Sequence, residues 1–277
     1  MIKEKDQVFL KYELEKYSDF FYVFSEVLNG AIMRKHFVLF FVGNHKEKLK
    51  EWKRLGLIEI KKIGTASVIL LRHCSALNKK RRSALTNVQI LRSVLRMEYY
   101  LSLGLTTAVE IREYSDRGNN KVNRQGVSKE RLGHYKATLH DKGVDIPSLD
   151  SKSGIDALDR LTFHGIFISQ LRRRNGVLVP IAVYFTACDD NVNHIVKELL
   201  FAYRKLVALF TEYPNPVSVK PTITICTFSH KNLLPSVFGK LRQEFEFLTM
   251  TDEEINTTFN ILKVENPFSY LDPSKLV

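Results

Sequence analysis

Residues 43–62 read GNHKEKLKEWKRLGLIEIKK, and their pattern is the strongest indication of how the first part of the chain folds. Asn44 is of a type that caps helix N-termini and Gly56 of a type that ends helices, so we expect a helix from His45 to Leu55. At about 100° per residue, its apolar side chains share one face and most of its basic side chains the opposite face. The apolar face consists of Leu49, Trp52 and Leu55, and the basic face of Lys46, Lys50 and Arg54, with Lys53 beside it.

Segments on both sides of this helix have their own patterns. Two β-rich runs follow it, Leu57–Lys62 and Ser67–Leu71, and the short turn between them contains Gly64, which predicts a hairpin with Lys61 and Lys62 at its tip. Before it, apolar side chains recur every three or four residues from Val8 to Val27, which predicts an amphipathic helix ended by Asn29-Gly30. A short apolar stretch from Phe37 to Val42 then leads to Gly43.

A helix, a tight glycine turn, a basic helix ending in WKRLGLIEI and a hairpin together resemble the winged helix-turn-helix domains. The resemblance implies that the basic helix enters the major groove of DNA and that the hairpin, or wing, contacts the phosphate backbone. Winged helices also serve as protein–protein interaction modules, and that alternative stays open. On this resemblance the DNA-binding residues are Asn44, Lys46, Lys50, Lys53, Arg54, Lys61 and Lys62.

The charge of the chain is concentrated in the same region. The 277 residues include 42 Lys and Arg against 30 Asp and Glu, for a formal net charge of +12. Residues 34–92 hold 15 of the basic residues and only 3 of the acidic ones. Such an excess favours a polyanionic partner, either nucleic acid or an anionic membrane surface. Directly after the hairpin we expect a basic arm on the DNA backbone, or alternatively a solvated linker, formed by Lys79, Lys80, Arg81 and Arg82.

Several classes of protein do not fit this sequence. No signal-peptide-like apolar core follows Met1, and no uncharged apolar run reaches the roughly 18–20 residues that span a bilayer. Cys74, Cys188 and Cys226 are scattered singly, so we expect a reducing, cytoplasmic environment rather than disulfides. Motifs for nucleotide phosphates, serine hydrolases and zinc proteases are missing, and the Cys and His spacings match no common metal site. We therefore expect no cofactor and no metal.

The second half of the chain predicts an α/β domain. Residues 114–150 are rich in Gly, Asn, Lys and Ser, with one short helix near Lys129–His140, and we expect a domain boundary there. Strands are predicted at 161–168, 177–187 and 222–228, and helices at 192–210 and 236–245, with a capping box at Thr251 opening a last helix. The Arg172–Gly176 turn is either a solvated turn or an auxiliary DNA contact. The predicted division is a winged-helix domain with its basic arm (1–83), a connecting helix and irregular linker (84–150), and the α/β domain (151–277).

This mixed α+β and α/β organisation resembles the core of restriction-endonuclease-like folds, and with the winged helix it resembles the replication-relaxation family of plasmid and mobile-element proteins. Nucleases of this fold hold a divalent metal with carboxylates on the second and third strands, but TFHGIFIS and PIAVYFTA contain none. We therefore expect a non-catalytic protein that binds double-stranded DNA as a replication or mobilisation (relaxosome) accessory, with a possible protein partner at the origin. The alternative is a metal-dependent nuclease whose site is rearranged around Asp156, Asp159, Asp189 and Asp190.

Overall fold

The computed structural model shows an α+β protein with two separate sheets. The chain forms two compact units that divide between Glu113 and Tyr114, within the helix Ala108–Asp116, most of which belongs to the first unit. The structure describes residues 4–63, 66–72, 85–116, 137, 140, 156–157, 160–161, 164–186, 191–211, 218–228, 233–246 and 250–264.

The first unit is mainly helical, with a small sheet. Where the sequence predicts one helix over Val8–Val27, the structure has two α-helices and a π-helical segment, and the predicted stop is confirmed because Asn29 and Gly30 have φ values of 51° and 77°. Its elements are α1 (Glu4–Lys16), α2 (Ser18–Tyr22), the π segment (Val23–Val27), β1 (Ala31–Met33), α3 (Arg34–Phe40), α4 (His45–Arg54), β2 (Ile58–Ile63), β3 (Ala66–Leu71), α5 (Asn87–Ser102) and α6 (Ala108–Asp116).

The small sheet is antiparallel, with β3 in the middle and β1 and β2 on either side. The hairpin of β2 and β3 is as the sequence predicts, whereas β1 and α3 are additional. The apolar stretch before Gly43 is the second half of α3, and Phe37 is fully buried there. The turn from Phe41 to Asn44 joins α3 to α4, so two helices separated by four residues precede the hairpin.

Aromatic side chains fill the core of the first unit around Trp52. Its ring centroid lies 4.8 Å from that of Phe21, 5.2 Å from that of Phe41 and 5.7 Å from that of Phe37. Such aromatic rings contribute large buried areas, so this cluster fixes α4 against the helices that precede it.

Helix α5 follows the small sheet and begins with a capping box, in which the Thr86 hydroxyl accepts a hydrogen bond from the backbone N–H of Gln89.

The second unit is a mixed four-stranded sheet with helices between its parallel strands. Strand order follows the chain, with one antiparallel hairpin and then two parallel pairings. A buried apolar core, including Leu199, Leu206, Ile223 and Ile225, packs between helix and sheet. The elements are β4 (Ile166–Arg174), β5 (Val177–Thr186), α7 (Val192–Thr211), β6 (Thr222–Phe228), α8 (Leu233–Glu246), α9 (Asp252–Thr258) and β7 (Phe259–Val264).

Some element boundaries differ from the predicted ones. The strand predicted at 161–168 begins only at Ile166 and continues through the three arginines, so the hairpin turn is Asn175-Gly176 alone. Both turn residues have positive φ, 48° and 78°, which is the property that makes Asn-Gly a hairpin signal. The capping box at Thr251 is confirmed, but the helix it opens is followed at once by β7, which the sequence analysis does not predict.

Other expectations stay predictions. The short helix predicted near Lys129–His140 and the linker around it lie almost wholly outside the described residues. Cys74, Cys188 and the basic arm lie outside them as well. The three-part division of the chain therefore stays a prediction as well. Within the helices that the structure describes, none combines the length and apolarity that crossing a bilayer requires.

Candidate nucleic-acid interface

Helix α4 presents its basic side chains to solvent. Lys46, Lys50, Lys53 and Arg54 are exposed, whereas Leu49 and Trp52 are buried. With about 3.6 residues per turn, the four basic side chains lie within a sector of about 100° of the helix surface. The predicted division of α4 into an apolar face and a basic face therefore agrees with the burial of its side chains.

A buried carboxylate anchors the other side of α4. Glu13 of α1 is 1% exposed and accepts a hydrogen bond of 2.8 Å from Nε1 of Trp52. The ammonium group of Lys48 donates to both oxygens of Glu13, at 2.8 and 3.0 Å. Burial lowers the pKa of Lys48, but the hydrogen bond and charge of Glu13 outweigh it, so the pKa is raised overall. Lys48 thus stays charged and holds α4 in place instead of facing a partner.

A glycine-based motif ends α4. The backbone N–H of Leu57 donates to the carbonyl of Trp52 at 2.9 Å, and that of Gly56 donates to Lys53 at 3.1 Å. These two bonds, with φ of 69° at Gly56, form a Schellman motif, which reverses the chain direction and leads directly into β2. The basic helix and the hairpin are therefore joined by a turn of fixed geometry.

The remaining charges on α4 are not equivalent. Arg54 donates to Asp6 of α1 at 2.9 Å, so part of its charge is balanced within the protein. Lys46, Lys50 and Lys53 form no ion pair within the part of the chain that the structure describes. Glu47 is exposed and adjoins this face, so the face is not uniformly positive.

Asn44 precedes α4 as predicted, but it does not act as predicted. It occupies the N-cap position, yet its side chain makes no capping hydrogen bond, because its backbone is not in the extended conformation that such a cap requires. The side chain is exposed, and its amide is free to bind a ligand. The prediction of a side-chain cap is therefore wrong, while the predicted exposure of Asn44 next to Lys46 agrees with the structure.

The hairpin does not present its two lysines together. Lys61 and Lys62 are consecutive strand residues opposite Val68 and Ser67, and successive side chains of a strand point to opposite faces. Lys61 is half-buried and donates to the side-chain oxygen of Asn87 at 3.2 Å, whereas Lys62 is exposed. Of this predicted pair, Lys62 is the one available to a partner. Lys79, Lys80, Arg81 and Arg82 lie outside the described residues.

The sequence analysis missed one basic residue that belongs to the same region. Arg34 is exposed at the start of α3 and forms no ion pair within the described residues, whereas its neighbour Lys35 pairs with Glu98 at 2.5 Å. Burial raises the pKa of Glu98, but hydrogen bonds from His36 and Lys35 outweigh this effect and lower it overall. Recognising the apolar stretch before Gly43 as a helix would have identified Arg34 as its first residue.

The second unit has no recognisable metal centre within the residues that the structure describes. Strands β4 and β5 carry no carboxylate, and Asp156 is exposed, while Asp159, Asp189 and Asp190 lie outside the described residues. Cys226 is buried in β6, and burial raises the pKa of its thiol, so it packs as a neutral side chain. Comparison with protein-family models, curated proteins and solved structures gives no match to this chain.

Proposed function

We propose that this chain binds double-stranded DNA through α4, with the β2–β3 hairpin as an accessory contact. The proposal rests on one observation. Lys46, Lys50 and Lys53 are exposed along one side of α4 and have no ion-pair partner among the described residues. A row of exposed cations without acidic partners attracts an anionic ligand, and the DNA backbone supplies anions at regular spacing.

The order of elements supports the same proposal. Two helices joined by the turn from Phe41 to Asn44, followed by a hairpin whose second strand pairs with β1, resemble a winged helix-turn-helix domain. In helix-turn-helix proteins the second helix lies in the major groove, and its N-terminal residues contact base edges. In this chain α4 is the second helix, and the exposed side chains of Asn44 and Lys46 lie at its N-terminal end.

The side chains divide into two roles. An Asn amide can pair with both the donor and the acceptor of adenine, and a Lys with the acceptors of guanine, so Asn44 and Lys46 are the residues we assign to base contacts. Lys50, Lys53 and Arg54 lie further along α4 and are assigned to phosphates, as are Arg34 and Lys62. Arg54 exchanges its contact with Asp6 for a phosphate upon binding.

The biological setting is the wider part of the proposal. We assign the chain an accessory role, without a catalytic step of its own, at a replication or transfer origin of a plasmid or mobile element. This assignment rests on the resemblance to the replication-relaxation family stated above, and on the uneven charge of the chain, in which residues 34–92 hold 15 basic and 3 acidic residues.

The test is a double substitution of unpaired cations, Lys46→Ala with Lys50→Ala. We expect duplex affinity in a mobility-shift titration to fall by about tenfold or more at low salt. The slope of log affinity against log salt should decrease by about 2 if both side chains contact phosphates, and by about 1 if Lys46 contacts a base. Arg54 is left intact, because its removal would also leave Asp6 without its partner.

The control is Lys11→Ala with Lys16→Ala, which removes two exposed cations from α1 in the same unit. Lys11 forms an ion pair of 3.9 Å with Glu15, but a pair this exposed contributes little to stability. We expect this variant to bind the duplex with nearly native affinity. Equal losses in the two double variants would mean that net charge alone drives binding. Native affinity in the α4 variant would show that α4 is not the DNA-binding helix.

A further inference from the structure

The second unit contains a cleft that the proposed function does not use. It lies between α7 and α8 and has a volume of about 780 Å³. Its floor is apolar, since Val196 is 2% exposed and Leu200 9% exposed, and both line the cleft. Its rim is polar, with side chains from both helices.

The rim of this cleft is strongly basic. Lys197, Arg204 and Lys205 line it from α7, and Lys240 lines it from α8, with Glu244 as the one carboxylate among its lining residues. None of the four cations forms an ion pair within the described residues. Lys240 instead donates to the side-chain oxygen of Asn193, which keeps its ammonium group at the rim.

Spacing along α7 makes these cations a linear feature. Lys197 and Arg204 are seven positions apart, which corresponds to about 10 Å along a helix axis. Residues at this spacing lie within about 20° of the same side of the helix, and Lys205 adjoins Arg204, so the positive charge runs along the cleft instead of surrounding one point. A chain of phosphates matches that arrangement better than a single small anion does.

An aromatic ring lies between the cations. Phe201 lines the cleft and is only half-buried, and its ring packs against His164 with a centroid distance of 4.6 Å. The ammonium group of Lys205 lies 5.9 Å from the centre of the same ring. A ring restrained in this way loses little conformational freedom when another planar group packs on it.

We propose that this cleft binds single-stranded DNA, with phosphates along the α7 cations and a base against Phe201. A positively charged groove combined with an aromatic ring is the usual combination for single-strand binding without sequence preference. The bases of a duplex are stacked inside the helix and cannot pack on a ring that lines a cleft, which is why the single strand is the favoured occupant. The inference goes beyond the proposed function, because it concerns another unit and another form of DNA.

The test measures fluorescence anisotropy of a labelled 12-nucleotide oligo(dT) with the full chain. For Lys197→Ala with Arg204→Ala we expect affinity to fall by about tenfold, and the slope of log affinity against log salt to decrease by about 1.4. Phe201→Leu keeps an apolar side chain but removes the ring, and we expect about a fivefold loss with an unchanged salt slope. The control, Lys220→Ala with Lys263→Ala, removes two exposed cations of the same unit outside the cleft and should bind with native affinity.

The two proposals fail in different ways in this experiment. Lys46→Ala with Lys50→Ala should weaken duplex binding and leave oligo(dT) binding intact. The cleft variant should weaken oligo(dT) binding and leave duplex binding intact. If the cleft variant binds oligo(dT) as tightly as the native chain, or loses no more affinity than the control, the cleft is not a single-strand site. A second outcome would also overturn the proposal. In it, the native chain binds anionic phospholipid vesicles, and the cleft variant loses this binding but still binds oligo(dT).

Discussion

At the scale of single residues, Glu13 links α1 to α4 in the first unit. It is a buried carboxylate that accepts hydrogen bonds from Trp52 and Lys48, 39 and 35 positions away in the chain. A buried charge is costly unless it is paired and hydrogen-bonded, and here both conditions are met. Together with the aromatic cluster around Trp52, this side chain positions α4 and its exposed basic face.

We expect Glu13→Gln to lower the free energy of unfolding of the first unit by about 3 kcal/mol, because it leaves the ammonium group of Lys48 without its buried partner. The chain has a single tryptophan, Trp52, so urea unfolding followed by tryptophan fluorescence reports on this unit. Glu15→Gln, an exposed substitution on the same helix, should change the unfolding free energy by less than about 0.5 kcal/mol. A Glu13→Gln variant as stable as the native chain would contradict the anchoring role.

Residue-scale features of this kind lie beyond sequence reasoning. The pattern of α4 places Lys48 near the apolar side, but nothing in its neighbourhood indicates that its partner comes from α1. The same holds for Arg54 and Asp6, which are 48 positions apart and 2.9 Å from each other. Helical periodicity predicts which face a side chain occupies, whereas its partners depend on how distant segments pack.

At the scale of elements, the end of α4 shows how local sequence fixes geometry. Gly56 has a φ of 69°, a conformation that residues with a β-carbon adopt only at a cost. No heavy atom lies within 4 Å of the position that a β-carbon would take, so space is available there. Any penalty for a side chain at this position therefore comes from the backbone alone.

We expect Gly56→Ala to destabilise the first unit by about 1 kcal/mol, and Gly56→Asn to destabilise it less, because asparagine tolerates the left-handed conformation better. Urea unfolding followed by Trp52 fluorescence measures both. If alanine were as stable as glycine, or if asparagine were worse than alanine, the cost would not arise from backbone conformation and the Schellman motif would not be what ends α4.

Elements with strong local signals were predictable, and those that depend on distant pairing were not. The hairpin, α7, β6 and the capping box at Thr251 follow from periodicity and from capping residues, whereas the capping box at Thr86 is not predicted. In contrast, β1 has only three residues and is recognisable only from its pairing with β3, which lies 37 positions later. Strand β7 directly follows α9 without a turn signal, and its hydrogen bonds are made to β6.

At the scale of the whole molecule, some positively charged surfaces are evident from the sequence and others are not. The excess in residues 34–92 is evident from composition. The cleft of the second unit is not, because Lys240 is 35 positions away from Lys205, the nearest in sequence of the other cations that line the cleft, and acidic residues balance the charge of that half of the chain. A net charge is a sum over the sequence, whereas a binding surface depends on which charges the fold gathers.

Strand β4 lies at one edge of the sheet of the second unit, among the strands that the structure describes, and it ends in exposed Arg172, Arg173 and Arg174. The free backbone groups of an edge strand can pair with the same strand of another molecule, and charge at the edge opposes this association.

We expect the variant Arg172→Thr with Arg174→Thr to sediment as larger species than the native chain as protein concentration rises. Lys197→Ala with Arg204→Ala, which removes equal charge away from this edge, should sediment like the native chain, and identical profiles for both variants would contradict the idea. If the edge variant alone forms larger species, the three arginines keep neighbouring copies from growing into fibrous aggregates, whether or not they ever contact a ligand.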